Sequence, residues 1–267
     1  MFQTAFALAQ QRDRMRRLSS GIPLVDDLLG GGFEAGLSYL FYGSSVCTEL
    51  LLRCVAAALR QVAPTGSVVV IDGNNGIHPT VLLDYLKAAP TSESPTVFLK
   101  QLHLARAFTA DQLLTLLSDA PTTLHDISAP ILFVNGVTYL LQEEEDALAP
   151  PRGRRGEPTN PSVFRRAQFA ALLKQLAFTQ QVAVIASADT PERFGHPTLR
   201  IGQVAHHTVH VLIHHTQRDG GDTFILEKHP SLPWQQRSTI ADHPCHHSPP
   251  RSRAGASFHQ ATLVPED

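Results

Sequence analysis

Two hydrophobic rhythms alternate along the chain. Ser67–Asp72 and Ala129–Asn135 are short apolar runs bounded by Gly, Pro or Asp, the pattern of strands buried on both faces. Cys47–Val62 instead sets Leu50, Cys54, Val55, Ala58 and Leu59 at helical spacing. The same criteria predict strands at Leu37–Tyr42, Thr96–Gln101 and Gln181–Ser187. They predict helices over Pro79–Lys87, Ala110–Ser118 and Ser162–Thr179, the last being the longest. Ile22–Leu29 is apolar at helical spacing and is stopped by Gly30-Gly31-Gly32. Thr208–His214 and Asp222–Lys228 alternate and flank a turn at Arg218–Gly221, a hairpin signal. Strands that alternate with helices and are apolar on both faces imply an α/β fold: a mostly parallel twisted sheet flanked by helices, extended by antiparallel late strands.

Polar segments divide this pattern. Residues 1–17 form an N-terminal arm ending in Arg12, Arg14, Arg16 and Arg17, residues 18–240 a core domain, and residues 241–267 a Pro-, Ser- and His-rich tail expected to be disordered. Within the core, Gln142–Pro161 and Asp189–Ile201 are long polar stretches, and loops of that length in a compact domain usually carry function or are disordered. The whole chain has 267 residues, 22 Lys+Arg against 24 Asp+Glu, and a net charge of -2. That excludes a uniformly basic nucleic-acid coat protein; a nucleic-acid binder must concentrate its charge. The charge is indeed segregated. Residues 21–146 hold 5 Lys/Arg and 14 Asp/Glu, whereas residues 152–218 hold 9 and 3. The 3 cysteines form no C-x-x-C pair, so neither a disulfide framework nor a zinc ribbon is encoded. No apolar run reaches the ~18 residues of a membrane span, and the N-terminal charges follow an apolar stretch, the wrong order for a secretory signal. A soluble, cytoplasmic protein without membrane partners is the expectation.

Several segments together carry a resemblance. Leu18-Ser19-Ser20-Gly21 leads into Val25-Asp26-Asp27-Leu28-Leu29-Gly30-Gly31-Gly32. Ala105-Arg106-Ala107-Phe108 precedes Asp111-Gln112, and Val182–Ser187, Ala205-His206 and Pro230-Ser231-Leu232-Pro233 follow in order. In order and spacing these resemble the RecA/RadA recombinase family, in its archaeal and eukaryotic branch and restricted to the ATPase core. The resemblance implies a RecA-like phosphate-loop core, and as family properties DNA-dependent ATP hydrolysis with ATP and Mg²⁺, assembly with itself or a recombinase, and contact with single-stranded DNA.

The phosphate loop itself is degenerate. G-x-x-x-x-G-K-[ST] works because glycines let backbone N–H groups approach phosphates, the Lys neutralises charge and the hydroxyl binds Mg²⁺. At the corresponding place stands Gly43-Ser44-Ser45-Val46-Cys47-Thr48-Glu49-Leu50. Gly43 is kept; Thr48, Glu49 and Leu50 replace the second glycine, the lysine and the hydroxyl residue. A carboxylate roughly 4 Å from a phosphate charge costs about 4 kcal/mol at an effective dielectric near 20. Helix N-terminal donors return only about 0.3–2 kcal/mol. By the same resemblance, Asn135 stands where an Asp holds Mg²⁺, and Asn74 where a Glu activates water. No catalytic residue is intact, a non-hydrolysing site is expected, and nucleotide binding itself is in doubt.

The resemblance also assigns roles outside this site. Phe2-Gln3-Thr4-Ala5 is similar to the family's F-x-x-A polymerisation motif, which makes Phe2 and Ala5 candidate protomer contacts. Arg152, Arg154 and Arg155 fall in the first DNA loop, beside Glu143, Glu144, Glu145 and Asp146, and Arg193 and Arg200 in the second. Lys228, in Lys228-His229-Pro230, sits where the family caps a neighbour's nucleotide, although an ordinary strand end explains it as well. His206, His210 and His214 share one strand face, but ligands so spaced lie about 13 Å apart, too far for one metal. No metal site is expected. The functional expectation is a recombinase paralogue with a degenerate ATP site that assists recombination or repair. A DNA-dependent ATPase with an atypical loop, and a scaffold or regulatory protein that never touches DNA, are the alternatives.

Overall fold

The structure is a computed structural model and describes residues 17–43, 46–62, 66–88, 94–141, 161–189, 192–193, 196–197, 208–218 and 220–239. Eight strands form the main sheet: β3 (Ser38–Gly43), β4 (Val68–Asp72), β5 (Leu102–Arg106), β6 (Ile131–Asn135), β7 (Ala183–Asp189), β10 (Val211–Arg218), β11 (Gly221–Lys228) and β12 (Gln235–Ser238). Their spatial order is β12-β11-β10-β3-β7-β6-β4-β5. The five pairings from β10 to β5 are parallel, and β10-β11 and β11-β12 are antiparallel. Two minor ribbons join β1 (Arg17–Leu18) to β2 (Phe33–Glu34), and β8 (Glu192–Arg193) to β9 (His196–Pro197).

The expected strand periodicity has a direct cause here. Ile131, Leu132, Phe133 and Val134 of β6 are all fully buried, because helices cover both faces. Between β3 and β4 runs α2 (Cys47–Val62); its Leu51, Val55, Ala58 and Leu59 join Phe41, Val70 and Phe133 in one core. After β4 come α3 (Pro79–Lys87) and α4 (Pro95–Leu99), whose Leu82, Leu86 and Phe98 enter that same core. The second core lies on the opposite sheet face. There α5 (Ala110–Asp126) and α6 (Pro161–Gln180) set Leu113, Leu117, Phe169 and Leu173 against Leu132, Val134 and Val184. Right-handed crossovers demand this division, since chain moving one way along the sheet must cover one face and chain returning must cover the other. Before all of these lies α1 (Pro23–Leu29), whose end is set by Gly30 in the left-handed conformation, as the glycine run predicted.

Three elements differ from the sequence expectation. Thr96–Gln101 does not form a strand: α4 occupies most of it, with Pro95 at the first helical position and Phe98 buried, and the strand follows as β5. The polar β12 was not anticipated, because an edge strand reading Gln-Gln-Arg-Ser has no hydrophobic alternation to reveal it. Helix α5 also continues past Ser118 and through Pro121, since Ala120 and Leu124 still bury against the second core.

Gly43 closes β3 at a crowded point. It pairs with His215 of β10 on one side and Asp189 of β7 on the other, at a φ of 133°. A Cβ there would overlap the carbonyl oxygen of His215. Gly220, in the β10–β11 turn, also has positive φ (77°) but has open space around it. Gly220→Ala is therefore expected to cost only the backbone term, on the order of 1–3 kcal/mol. Gly43→Ala should cost clearly more, because the sheet must also separate. Urea unfolding of both variants checks the order.

Candidate functional site

The carboxyl ends of β3, β7, β6 and β4 lie along one edge of the sheet, where the covering helices change face. Polar side chains excluded from the two cores collect there. Asn135, the last residue of β6, is fully buried and is their hub. Its Nδ2 donates to Asp72 Oδ1 (3.0 Å) and to Asn74 Oδ1 (2.6 Å). Its Oδ1 accepts from Ser187 Oγ (2.8 Å) and Thr48 Oγ1 (3.2 Å). Asn74 Nδ2 in turn donates to Thr48 Oγ1 at 3.3 Å. Asn135, Asn74 and Thr48 thus form a closed ring of three hydrogen bonds running in one direction. The Asp72 carboxylate can only accept, and this fixes which end of the Asn135 amide faces it.

The remaining valences are filled from the backbone. Asp72, also fully buried, accepts from the N–H groups of Gly76 (3.2 Å) and Ile77 (2.9 Å). Gly76 N–H also donates to Asn74 Oδ1 (3.0 Å), and Gly136 N–H to Ser187 Oγ (3.2 Å). Space is filled as well. A Cβ on Gly76 would come within 2.8 Å of both Asn74 and Thr48, and one on Gly136 would overlap the Asn74 side chain.

The residues expected in this site divide into two groups. Thr48, Asn74 and Asn135 are brought together. Glu49, one residue along α2, is turned away: its half-exposed carboxylate pairs with Arg53 at 2.7 Å, and Arg53 lies over the Tyr85 ring. The Arg53 guanidinium thus offsets the Glu49 charge. Leu50 is buried in the first core. Lys228 ends β11 toward the amino end of β3, opposite Leu212 of β10, which itself pairs with Leu40, and its Nζ donates to the Val209 carbonyl (2.6 Å). Arg193 falls in the two-residue strand β8. Phe2, Ala5, Arg152, Arg154, Arg155 and Arg200, with His206 and His207, lie outside the described residues. His214 stacks on Tyr42 (4.7 Å between centroids), and the fully buried His215 bonds Asp222 (3.0 Å). Among the described residues no group of three or more His, Cys, Asp or Glu is placed to hold a metal ion. No helix among them is long and apolar enough to cross a membrane.

The amino-acid sequence matches the family model of Rad51 over residues 11–197. The chain belongs to the Rad51 family. It is 24% identical over 257 residues to the DNA repair and recombination protein RadA of Methanocorpusculum labreanum, covering 87% of this chain and 75% of that protein. It is 27% identical over 149 residues to the DNA repair protein RAD51 of Mycosarcoma maydis, covering 54% of this chain and 43% of that protein. The chain thus spans less than half the length of the RAD51 relative.

In this Rad51-family chain, three residues of the edge were missed as members of the site: Asp72, Ser187 and Asp189. The available signal was a polar residue ending a buried strand on the carboxyl side. Asp189 is the most exposed to consequence. Its Oδ1 is buried with no hydrogen-bond partner, and burial pushes its carboxyl up to about 6. Burial, with Asp189 second, also pushes the neighbouring Cys47 thiol well above its ordinary range, which leaves it unreactive. Because the folded Asp189 binds a proton more tightly than the unfolded one, it disfavours folding increasingly as pH rises through the window from about 4 to 6. Asp189→Asn should therefore melt above the parent at pH 8, with the gap closing by pH 4. Thermal unfolding across that range checks it.

Proposed function

We propose that this chain is a RecA-fold recombinase paralogue that assists homologous recombination or DNA repair without using ATP. Family membership and the repair and recombination proteins among its relatives support the general role. The observation that carries the finer statement is the filled corner around Asn135. A Mg²⁺–nucleotide needs oxygen ligands and a lysine; here an amide N–H group points inward, Asp72 already accepts three hydrogen bonds, Leu50 is in the core and no lysine follows Thr48. The residues present do not fit the group.

The contacts proposed for the role are with other protomers and with single-stranded DNA. Phe2 and Ala5 of the arm would dock on another protomer, itself or a full recombinase. Strand β5 offers an edge for such addition: its outer side has no neighbour among the described residues, and Leu102, Leu104 and Ala105 are only half-buried. Arg152, Arg154 and Arg155, with Arg193 and Arg200 as lesser contributors, would pair with DNA phosphates, the positive segment compensating an acidic N-terminal half.

Two measurements test this. Equilibrium titration with a fluorescent ATP analogue and Mg²⁺ should show no saturable binding in the micromolar range; saturable binding would overturn the ATP-independent reading and favour the DNA-dependent ATPase alternative. Replacing Arg152, Arg154 and Arg155 with Ala should weaken single-stranded DNA binding and flatten its salt dependence by about 0.7 log units per lost phosphate contact. A parent protein that binds no DNA at low salt would favour the scaffold.

A further inference from the structure

The corner around Asn135 is more than a site that has lost its ligand. We propose that the Asn135 amide is a built-in cross-link that stands in for a divalent cation, holding the carboxyl edge of the sheet in one conformation without nucleotide. This rests on the reading that the site takes no Mg²⁺–nucleotide, and extends it to what holds the edge together instead.

The argument is geometric. A cation at the end of a sheet joins elements by collecting their oxygens. Asn135 joins the same number of elements with opposite polarity at its two ends. Its N–H₂ group gathers the oxygens of Asp72 on β4 and Asn74 in the following loop. Its carbonyl gathers the hydroxyls of Ser187 on β7 and Thr48 on α2. Four elements are fastened by one uncharged side chain. The ring Asn135–Asn74–Thr48 makes each bond depend on the other two, so the fastening is cooperative. Gly76 and Gly136 pack directly on this ring, leaving no room for a side chain at either place. Nothing in the set requires a metal, and the inward N–H group opposes one.

Asn135 is accordingly a positioning residue for the loop 73–78 and the helical segment 137–141, both of which leave the sheet at this point. An aspartate in its place would set two buried carboxylates and the Asn74 carbonyl against one another with no proton between them. That arrangement is unfavourable unless the new carboxyl binds a proton or a cation.

The test uses the full chain, three single variants and one double variant. Parent melting should not respond to Mg²⁺, Mn²⁺ or Mg²⁺–ATP. Asn135→Asp should melt several degrees lower in chelator and recover part of the loss with millimolar Mn²⁺ or at mildly acid pH. Thr48→Val keeps shape and methyl group while removing one hydroxyl. It should reduce hydrogen-exchange protection at Gly76 and Ile77, whose N–H groups Thr48 does not touch, on the order of fivefold. Ser187→Ala should do the same at Gly76 and Ile77, whose N–H groups Ser187 does not accept from either, and the combined loss in Thr48→Val/Ser187→Ala should depart from the sum. If the parent is stabilised by Mg²⁺–ATP, the ATP-independent function itself fails. If the parent is indifferent to nucleotide but Asn135→Asp melts with it, or loses stability that Mn²⁺ does not restore, the cross-link inference alone fails. Should Asn135→Asp not fold, unchanged protection at Gly76 and Ile77 in Thr48→Val overturns the inference by itself.

Discussion

A parallel sheet that is dry on both faces leaves its polar groups only the strand ends. β4, β6, β7 and β3 are packed between two apolar cores, so a buried polar group sits toward a strand end and finds its partners there: Ser38 with His210 at the amino end of β3, and Asp72, Asn135 and Ser187 toward the carboxyl edge. The insertion of β7 between β3 and β6 decides which partners those are. It sets Ser187 beside Asn135, while α2, starting from β3, brings Thr48 over the same point. Everything at the candidate site follows from this enforced convergence.

The convergence is the one that a phosphate-loop fold uses for nucleotide and metal, and the family's architecture is retained around it. Fold and function part at the level of individual groups. Glu49 pairs with Arg53, Leu50 joins the core, and the Asn135 amide donates to Asp72 and Asn74. The site is neutral at its hub, saturated in hydrogen bonds and close-packed through Gly76 and Gly136. Asp189 is the exception: a buried carboxylate oxygen without a partner, at the mouth of the same edge. Such groups carry a stability cost and mark where an edge remains open to change.

How much of this was legible in the sequence depends on the kind of signal. Helix α2 was read to the residue, and so was the glycine stop after α1, because apolar spacing and the left-handed Gly30 are local properties. The strand expected at 96–101 failed because Val97, Phe98 and Leu99 are as apolar as a strand, and Pro95 tips the segment into a helix. The substitutions at 48, 49, 50, 74 and 135 were visible as residue types. Their relations were not. No spacing along the chain says that residue 135 meets residues 48, 72, 74 and 187, or that Glu49 faces the other way.

The chain's own pattern therefore determined the class of fold, the order of its layers and the identity of the polar residues at the strand ends, since each follows from which residues water excludes. Only the tertiary structure decided that those residues form one closed hydrogen-bonded ring and that Lys228 lies toward the amino end of β3. It alone left Asp189 Oδ1 buried without a hydrogen-bond partner. Those outcomes depend on strand order and on the direction of single side chains, and both are set by packing between segments distant in sequence.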